Sequence, residues 1–254
     1  MKFSANLGFL WNDRPLPEAI GLAAKAGFHA VEFHWPYEED RAAVAAALAE
    51  TGLPALGLNT LRGDVAAGQN GLAALPGHEV AARDAIDLAL DWAVALDIAN
   101  IHVMGGFARG VEAETVFADN LLYAATVAAR AGKTIVIEPL NRHDAPGYCI
   151  ETTREAMAMI GRVGADNLKL MFDVYHVQRS EGDVITRLEA LLPHVGHVQF
   201  AQSPHRGGPD QAGELNFDFI FAAIKRLGWG APLGAEYKCP DGVEASLAWL
   251  SKKA

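Results

Sequence analysis

The sequence predicts an α/β protein whose 254 residues form one (β/α)8 TIM barrel domain. Strand-like and helix-like patterns alternate along the whole chain, with no linker, composition break or low-complexity segment between them. The alternation gives eight βα units, and eight units in about 250 residues is the usual size of this barrel. The competing doubly wound open sheet usually carries a glycine-rich turn after its first strand, and residues 10–15 (Leu-Trp-Asn-Asp-Arg-Pro) contain no glycine.

The first predicted strand shows alternating apolar and polar residues. The others are short runs rich in apolar residues, which are typical of parallel strands buried on both faces. The predicted strands lie at residues 2–9, 30–33, 53–58, 100–104, 134–137, 168–173, 195–199 and 232–236. The helices are predicted from apolar residues at helical spacing. They lie at residues 16–26, 39–50, 78–96, 113–131, 153–163, 183–192, 217–227 and 243–250, with Asp13 as a candidate cap of the first.

Charge and cysteine content argue against several classes of function. The formal net charge is −10 and no basic run occurs, whereas nucleic acids and anionic membranes are bound by clustered lysine and arginine. No segment has the pattern of a signal peptide or a membrane span. Cys149 and Cys239 are too few for a disulfide scaffold and lack zinc-type spacing. We therefore expect a cytoplasmic protein with a small-molecule partner, and we leave open whether it forms a homo-oligomer.

Four polar residues end consecutive predicted strands: Glu138, Asp173, Gln199 and Glu236. Because the strand ends of a barrel line one rim, we expect these side chains to be neighbours. Three carboxylates at one rim repel each other unless a cation lies among them or one is protonated. An all-oxygen set favours Mg²⁺ or Mn²⁺ over zinc. The alternative is that each residue is held by backbone donors or by a nearby lysine or arginine.

Three further residues are candidate substrate ligands. His176 follows Asp173 closely and is placed to orient a substrate hydroxyl, although a single histidine after a strand is more often structural. His102 lies inside the fourth predicted strand, where it faces either the rim or the core. Arg206 lies in the long loop after the seventh strand. A guanidinium there can bind a substrate carboxylate in a bidentate fork, and the alternative is a solvated loop arginine.

Longer motifs surround these residues and follow each other in order over nearly the whole chain. They are residues 4–7 (Ser-Ala-Asn-Leu), 30–33 (Ala-Val-Glu-Phe) with 36–37, 70–77, 137–142 (Ile-Glu-Pro-Leu-Asn-Arg) with 146–148, 172–176 (Phe-Asp-Val-Tyr-His) and 196–199 (Gly-His-Val-Gln). Together these motifs resemble the hydroxypyruvate isomerase family, which belongs to the xylose isomerase-like barrels. The motifs at the strand ends are the most specific part of the resemblance.

The resemblance implies an aldose–ketose type isomerase that converts hydroxypyruvate to tartronate semialdehyde (2-hydroxy-3-oxopropanoate). By motif, Glu138 and Glu236 are then the proton-transferring pair, and Glu138, Asp173, Gln199 and Glu236 bind Mg²⁺ or Mn²⁺. Gln199 is informative because the related ketose 3-epimerases usually have histidine at that position. The chemistry agrees, since a metal can stabilise an enediolate and carboxylates can shuttle protons when their pKa values approach neutrality.

The loop after the seventh strand departs from the family pattern, which reads Pro-Gly-Arg-His-Glu-Pro-Gly-Thr-Gly-Glu. Here the loop spans residues 204–214 and is one residue longer. Gly207 follows Arg206, where the family has a histidine. The departure bears on the choice of substrate, whereas the fold and the metal set rest on the strand ends.

Other functions remain compatible with this fold. Close relatives isomerise 2-oxo-tetronates, and a short-chain ketose isomerase or epimerase is a further alternative. A non-catalytic protein that binds a hydroxy-keto acid is a different class, and the presence of both glutamates argues against it. Metal-dependent endonuclease-like hydrolases share the fold but need a histidine-rich zinc cluster and a basic groove. The oxygen-rich residues and the net charge of −10 argue against such a hydrolase.

Overall fold

A computed structural model describes residues 1–253 of the chain. Within them the strands are β1 (Phe3–Asn6), β2 (Ala30–Glu32), β3 (Gly57–Asn59), β4 (Asn100–His102), β5 (Thr134–Ile137), β6 (Leu168–Asp173), β7 (Val195–Phe200) and β8 (Leu233–Ala235). The α-helices are α1 (Leu16–Ala26), α2 (Arg41–Thr51), α3 (Glu79–Ala95), α4 (Val111–Arg130), α5 (Thr153–Val163), α6 (Val174–Ser180), α7 (Val184–Leu191), α8 (Phe217–Arg226) and α9 (Leu250–Lys253). Short 3₁₀ turns lie at Leu192–His194 and Glu244–Ser246.

The strands pair in parallel and follow the order of a (β/α)8 barrel. The order is β2-β1-β8-β7-β6-β5-β4-β3, so β1 lies beside β8 and strands consecutive in the chain are neighbours, except β2 and β3 at the two ends of the order. In this register Ala5 of β1 is opposite Val31 of β2 on one side and Ala235 of β8 on the other. Val31 also forms a parallel bridge with Ala55, shortly before β3 begins. The fold class predicted from the sequence is confirmed.

Packing divides the chain into two compact units. The first unit comprises residues 1–56, 173–193 and 197 onward. Its core contains aromatic rings in edge-to-face contact around Phe3, whose centroid lies 5.8 Å from Phe200, 5.3 Å from Phe221 and 4.9 Å from Trp249. Such pairs add to the stabilisation that burial of apolar area already supplies.

The second unit comprises residues 57–172 and 194–196. Its strands bury aliphatic side chains, and Ile101 of β4 is opposite Ile135 of β5 in the parallel register. Both isoleucines are fully buried. Helices α3 and α4 pack against each other and bury one face each, with Ile86 and Leu121 pointing inward. Strand β5 of this unit is directly followed by Glu138.

Helix boundaries agree with the sequence where the local signals are strong. Both α1 and α5 span the predicted residues. At the start of α5, the Thr152 hydroxyl accepts the N–H of Glu155 and the Glu155 carboxylate accepts the N–H of Thr152, which completes a capping box. Helix α1 ends at Gly27, whose φ of 93° lies in the left-handed region that glycine adopts most easily.

The beginning of the chain differs from the prediction at two points. Asp13 does not cap α1, because the residue before the helix is Pro15, and the N–H of Leu16 in the first turn is instead accepted by Oε1 of Glu39 over 3.2 Å. The strand predicted at 2–9 is shorter than expected and ends at Asn6. The chain turns there, since the backbone oxygen of Asn6 accepts the N–H of Phe9 over 3.1 Å.

The end of the chain also differs from the prediction. The helix predicted at 243–250 is replaced by the 3₁₀ turn at Glu244–Ser246 and by α9. Trp249 is buried, and its indole N–H donates to the Tyr237 hydroxyl over 3.1 Å. Tyr237 in turn contacts Ser246, so side-chain contacts rather than helix propensity decide the path of this segment. In place of the strand predicted at 53–58, the structure has the shorter β3, which begins at Gly57 and ends at Asn59. Helix α6 was not predicted.

The structure also bears on membrane spans and on thiol chemistry. No helix within residues 1–253 is long and apolar enough to cross a bilayer. Cys149 and Cys239 are both free thiols. Burial raises the pKa of each thiol, so neither is ionised at neutral pH.

Candidate active site

Glu236 directly follows β8 and is held by two side chains of the first unit. The residue is 5% exposed. His34 lies with its Nε2 3.1 Å from the Oε1 atom of Glu236, and the Nη2 atom of Arg206 donates to Oε2 over 2.8 Å. Both carboxylate oxygens therefore have donors, which fixes the side chain in one orientation.

Arg206 is positioned by the loop after β7 and by two aromatic rings. Its φ of 57° places the backbone in the left-handed region, and its carbonyl oxygen accepts the N–H of Lys238 over 2.7 Å. The guanidinium carbon lies 4.6 Å from the ring centroid of Phe9 and 5.0 Å from that of Tyr175. Aromatic faces attract a guanidinium, so these rings hold a positive charge beside Glu236.

Asp173 faces the same guanidinium from the end of β6. It also caps α6, because its Oδ1 atom accepts the N–H of Tyr175 over 2.8 Å. Its Oδ2 atom lies 3.5 Å from Nη2 of Arg206 and 3.7 Å from Nε2 of His176. Arg206 therefore faces two buried carboxyl groups, and it is closer to Glu236 than to Asp173.

These positions move the pKa values of the two carboxyl groups in opposite directions. Burial raises the pKa of Asp173 and outweighs Arg206, and the charge of Glu236 adds to the effect, so this pKa reaches about 7. Burial also acts to raise the pKa of Glu236, but the charge of Arg206 and the hydrogen bond with His34 lower it to about 2. A carboxylate that shuttles protons needs a pKa near neutrality, and in this arrangement the pKa of Glu236 lies below its ordinary value.

A third buried carboxylate of the first unit, Glu32 at the end of β2, connects to two residues of β7. Its Oε2 atom lies 2.9 Å from Nε2 of His197 and accepts a hydrogen bond from Nε2 of Gln199 over 2.7 Å. Burial acts to lower the pKa of His197, but the charge of Glu32 and the hydrogen bond to it raise this pKa overall. Glu32 therefore stabilises a protonated His197 and holds the amide of Gln199.

Several buried oxygens in the first unit lack hydrogen-bond donors among the described residues. They are Oε1 of Glu32, Oδ2 of Asp173 and Oε1 of Gln199. Buried acceptors normally have a partner, because an unsatisfied polar atom in the interior costs about 1–3 kcal/mol. Carboxylate and amide oxygens are the ligands that Mg²⁺ and Mn²⁺ prefer. The donor set therefore fits a hard divalent cation.

Glu138 belongs to the second unit, where it follows β5 and is 6% exposed. Its Oε2 atom lies 3.8 Å from Nδ1 of His102, and the same nitrogen lies 3.2 Å from Oδ1 of Asn59. His102 therefore faces the strand end that carries Glu138. Strand β5 pairs with β6, with Ile137 opposite Leu170, so the carboxyl ends of these two strands lie at the same edge of the sheet.

The predicted site residues fall into two groups. The first unit contains Asp173, His176, Gln199, Arg206 and Glu236, and the second contains His102 and Glu138. Contacts in the first unit connect Asp173 and Glu236 through Arg206, whereas Gln199 is connected to Glu32. The solvated-loop alternative for Arg206 is wrong, because its side chain is 12% exposed and ion-paired. The predicted metal set remains a prediction.

Three residues of the first unit were not predicted as site residues: Glu32, His34 and His197. Glu32 carried a usable signal, since it closes the apolar run of β2 just as Glu138 closes that of β5. His34 carried none, because its partner is remote in sequence. His197 lies in the motif at residues 196–199, but its partner is also remote. His34 and Glu236 are 202 positions apart, and His197 and Glu32 are 165 apart.

Comparison with known proteins identifies the family. Residues 20–253 match the family described as the xylose isomerase-like TIM barrel. The chain belongs to this family. The strand order found here is that of such a barrel, and active sites of these barrels lie at the carboxyl ends of the strands.

Individual relatives cover nearly the whole chain. The 2-oxo-tetronate isomerase of Cupriavidus necator is 40% identical over 98% of this chain and 97% of that protein. The hydroxypyruvate isomerase of Escherichia coli is 36% identical over 98% of each chain. The crystal structure of an AP endonuclease, family 2, from Brucella melitensis is 38% identical, covers 99% of this chain and 98% of that one, and superposes with a TM-score of 0.94. The predicted family resemblance and enzyme class, an isomerase, are confirmed.

Proposed function

We propose that this isomerase interconverts hydroxypyruvate and tartronate semialdehyde. The observation that carries the proposal is the pair of buried carboxyl groups, Asp173 and Glu236, on either side of the guanidinium of Arg206. Carboxyl groups suit proton transfer, and a fixed guanidinium suits an acid substrate. The names of relatives at 36% and 40% identity support the same class of reaction.

The reaction moves one proton between neighbouring carbons. A base removes a proton from C3 of hydroxypyruvate, which gives an enediolate, and an acid returns a proton to C2. The proton of the C3 hydroxyl passes to the C2 oxygen, so C3 becomes the aldehyde carbon and C2 carries the hydroxyl. Glu138 and Glu236 are proposed as the two proton carriers. In support, each is a buried carboxyl group directly after a strand, at the edge where active sites of such barrels lie.

Glu236 needs a change in its surroundings before it can accept a proton. A carboxylate with a pKa of about 2 is a weak base, and Arg206 is the strongest cause of the lowering. A substrate carboxylate that binds the guanidinium shares its positive charge. The pKa of Glu236 then rises toward the ordinary range, so substrate binding itself prepares the base.

The cation set proposed for the reaction is Glu138, Asp173, Gln199 and Glu236, with Mg²⁺ or Mn²⁺ as the ion. Support comes from Oδ2 of Asp173 and Oε1 of Gln199, which receive no hydrogen bond from the described residues. When bound, the ion acts as a Lewis acid that polarises the substrate carbonyl and stabilises the negative charge of the enediolate.

The remaining substrate contacts are assigned to one arginine and two histidines. Arg206 binds the unreactive carboxylate of the substrate, held in place by Phe9 and Tyr175. His176, 3.7 Å from Asp173, and His102, 3.8 Å from Glu138, are proposed to hydrogen-bond the substrate oxygens. Because the bond to the carboxylate is the same before and after proton transfer, Arg206 contributes mainly to KM.

The test is a turnover assay followed by NMR, with hydroxypyruvate and Mg²⁺ or Mn²⁺, and again after removal of divalent ions with EDTA. We expect tartronate semialdehyde to form with the ion and to stop forming without it. The proposal fails if the protein binds the ion but converts no hydroxypyruvate. Equal rates with and without EDTA contradict the cation set but leave the isomerase assignment in place.

A second candidate substrate is a 2-oxo-tetronate, which is one carbon longer. The relative from Cupriavidus necator, at 40% identity, carries this activity in its name. Comparison of kcat/KM for the two acids under the same conditions decides between them.

A further inference from the structure

Glu32 lies outside the proposed cation set and is nevertheless one of the most constrained polar residues of the first unit. It is 3% exposed at the end of β2. Its Oε2 atom accepts the amide of Gln199 over 2.7 Å and lies 2.9 Å from Nε2 of His197. A buried charge is tolerated only where partners compensate it, and here both partners come from β7.

The contact with Glu32 fixes the orientation of the side-chain amide of Gln199. A side-chain amide has a donating NH₂ group and an accepting oxygen, and an ionised carboxylate only accepts. Nε2 of Gln199 must therefore face Glu32. Its Oε1 atom lies at the other end, is buried, and accepts no hydrogen bond from the residues that the structure describes. This buried oxygen is what a cation requires from a glutamine ligand.

Gly234 supplies the space for this arrangement. It lies in β8, opposite Gln199 in the parallel register. A Cβ atom at this position would collide with Oε1 of Glu32 and Cγ of Gln199. Side chains from β2 and β7 therefore meet over a glycine of β8, so the orientation of the amide is built into the packing of three strands.

We propose that Glu32 is a positioning residue that orients the amide of Gln199 so that Oε1, and not the NH₂ group, faces the bound cation. The inference rests on the proposed function, since it takes Gln199 as a ligand. Without Glu32 the amide can rotate and direct its NH₂ group toward the cation, which repels the ion. Residues that orient metal ligands typically contribute about ten- to a hundred-fold to metal affinity.

The orientation is tested first without any metal. In ¹⁵N-labelled protein treated with EDTA, the side-chain NH₂ resonances of Gln199 are identified by their loss in Gln199→Glu. In the wild type, we expect these resonances to lie away from the usual position of a solvent-exposed glutamine and to exchange slowly with solvent. In Glu32→Ala they should return to the usual position and exchange rapidly. The matched control is Gln202, a buried glutamine whose NH₂ group donates to the backbone oxygens of Gln211 and Leu215 and should not change. Unchanged Gln199 signals in Glu32→Ala overturn the inference.

The functional consequence is tested by Mn²⁺ affinity, measured by electron paramagnetic resonance. Glu32→Ala should bind Mn²⁺ about ten- to a hundred-fold more weakly than the wild type. The exchanged pair Glu32→Gln with Gln199→Glu should restore at least wild-type affinity, because the amide then donates from position 32 to a carboxylate at position 199. This rescue separates orientation from a general need for a buried ion pair between Glu32 and His197.

The outcomes separate the inference from the proposed function. A wild type that binds no Mn²⁺ contradicts the cation set, and the NMR comparison then still decides whether Glu32 orients the amide. A wild type that binds Mn²⁺, together with Glu32→Ala of equal affinity, overturns the inference and leaves the cation set in place. Circular dichroism spectra establish that each variant is folded, and Glu32→Gln replaces Glu32→Ala if the alanine variant is not.

Discussion

Asp173 and Glu236 face the same guanidinium from the ends of β6 and β8, yet their pKa values move apart, to about 7 and about 2. Both groups are buried, so burial alone does not explain the difference. The Nη2 atom of Arg206 lies 2.8 Å from Glu236 and 3.5 Å from Asp173. Glu236 has His34 as a second partner for its other oxygen, whereas Oδ2 of Asp173 accepts no hydrogen bond from the described residues.

The comparison shows how one cation can keep two neighbouring acids in different protonation states. Pairing and hydrogen bonds stabilise the ionised form of Glu236 enough to overcome burial. Asp173 is partly compensated, and the negative charge of Glu236 acts against its ionisation. Enzymes commonly assign acid and base roles through such differences in environment. The predictions below change one partner of this arrangement at a time.

The largest effect is expected when Glu236 loses its charge. Glu236→Gln keeps the size of the side chain and removes the proton acceptor, so kcat for the isomerisation should fall by about 10²- to 10⁴-fold. The rate is measured by NMR at saturating substrate and ion. Glu189→Gln, an exposed glutamate of α7, is the matched control and should keep the wild-type rate. A Glu236→Gln variant with near-wild-type kcat removes this residue from the mechanism.

The second effect concerns Asp173 and stability against pH in the absence of divalent ions. The folded protein binds this proton more tightly than the unfolded chain, whose ordinary value is 3.8. The stabilisation from the protonated form is therefore complete below about pH 4 and is lost as the pH rises through about 7. The wild type should lose on the order of 2–3 kcal/mol of unfolding free energy between about pH 5 and pH 8.

The matched variant for this prediction is Asp173→Asn, which cannot titrate. Its unfolding free energy should change less than that of the wild type over the same range, measured by urea denaturation. The lowered pKa of Glu236 does not contribute in this window, because that group is ionised in both states above its ordinary value of 4.5. If the unfolding free energies of the wild type and Asp173→Asn change in parallel with pH, Asp173 is already ionised at pH 5, which contradicts the prediction.

Removal of Arg206 should make the two carboxyl groups more alike. Arg206→Ala removes the charge that lowers both pKa values, so both should rise, and that of Glu236 should rise more. Loss of the substrate anchor should also raise KM for hydroxypyruvate by about ten- to a hundred-fold. Steady-state kinetics check this, with a neutral short ketose as a control substrate. An unchanged KM for the acid contradicts the anchoring role.

The smallest effect is expected at His34. His34→Ala removes the partner of Oε1 in Glu236 and leaves the ion pair with Arg206 in place. A single hydrogen bond to a charged group contributes about 1.5–3 kcal/mol at most, and water can replace part of it. We therefore expect kcat/KM to change less than it does in Arg206→Ala, measured in the same assay. His205→Ala, an exposed histidine next to Arg206, is the control. An effect larger than that of Arg206→Ala would reverse the proposed order of the two partners.

The architecture was predictable because the signals for it are local. Helix α5 follows a capping box formed by residues three positions apart, and its boundaries agree with the prediction. The segment 243–250 was predicted incorrectly because its path depends on Trp249 and Tyr237, which meet through tertiary packing. Strand ends were sufficient for placing Asp173 and Glu236, since parallel strands bring their carboxyl ends to one edge.

The partners within the site were harder to predict, because they depend on contacts between remote segments. Arg206 was recognised as a cation near the site, but its contacts with the rings of Phe9 and Tyr175 join two loops and helix α6 of the first unit. The pKa difference between Asp173 and Glu236 depends on distances that no sequence pattern contains. Glu32 was the exception, because it closes an apolar run in the same way as the predicted ligands.

The most direct test of the account is a crystal structure grown with Mn²⁺ and measured at its absorption edge. We predict one anomalous peak, with Glu138, Asp173, Gln199 and Glu236 as ligands at roughly 2.0–2.3 Å. Gln199 should present its oxygen to the ion and its nitrogen to Glu32. A peak elsewhere in the molecule, or a well-ordered site without a peak at millimolar Mn²⁺, would contradict the central claim that these strand ends form one cation site.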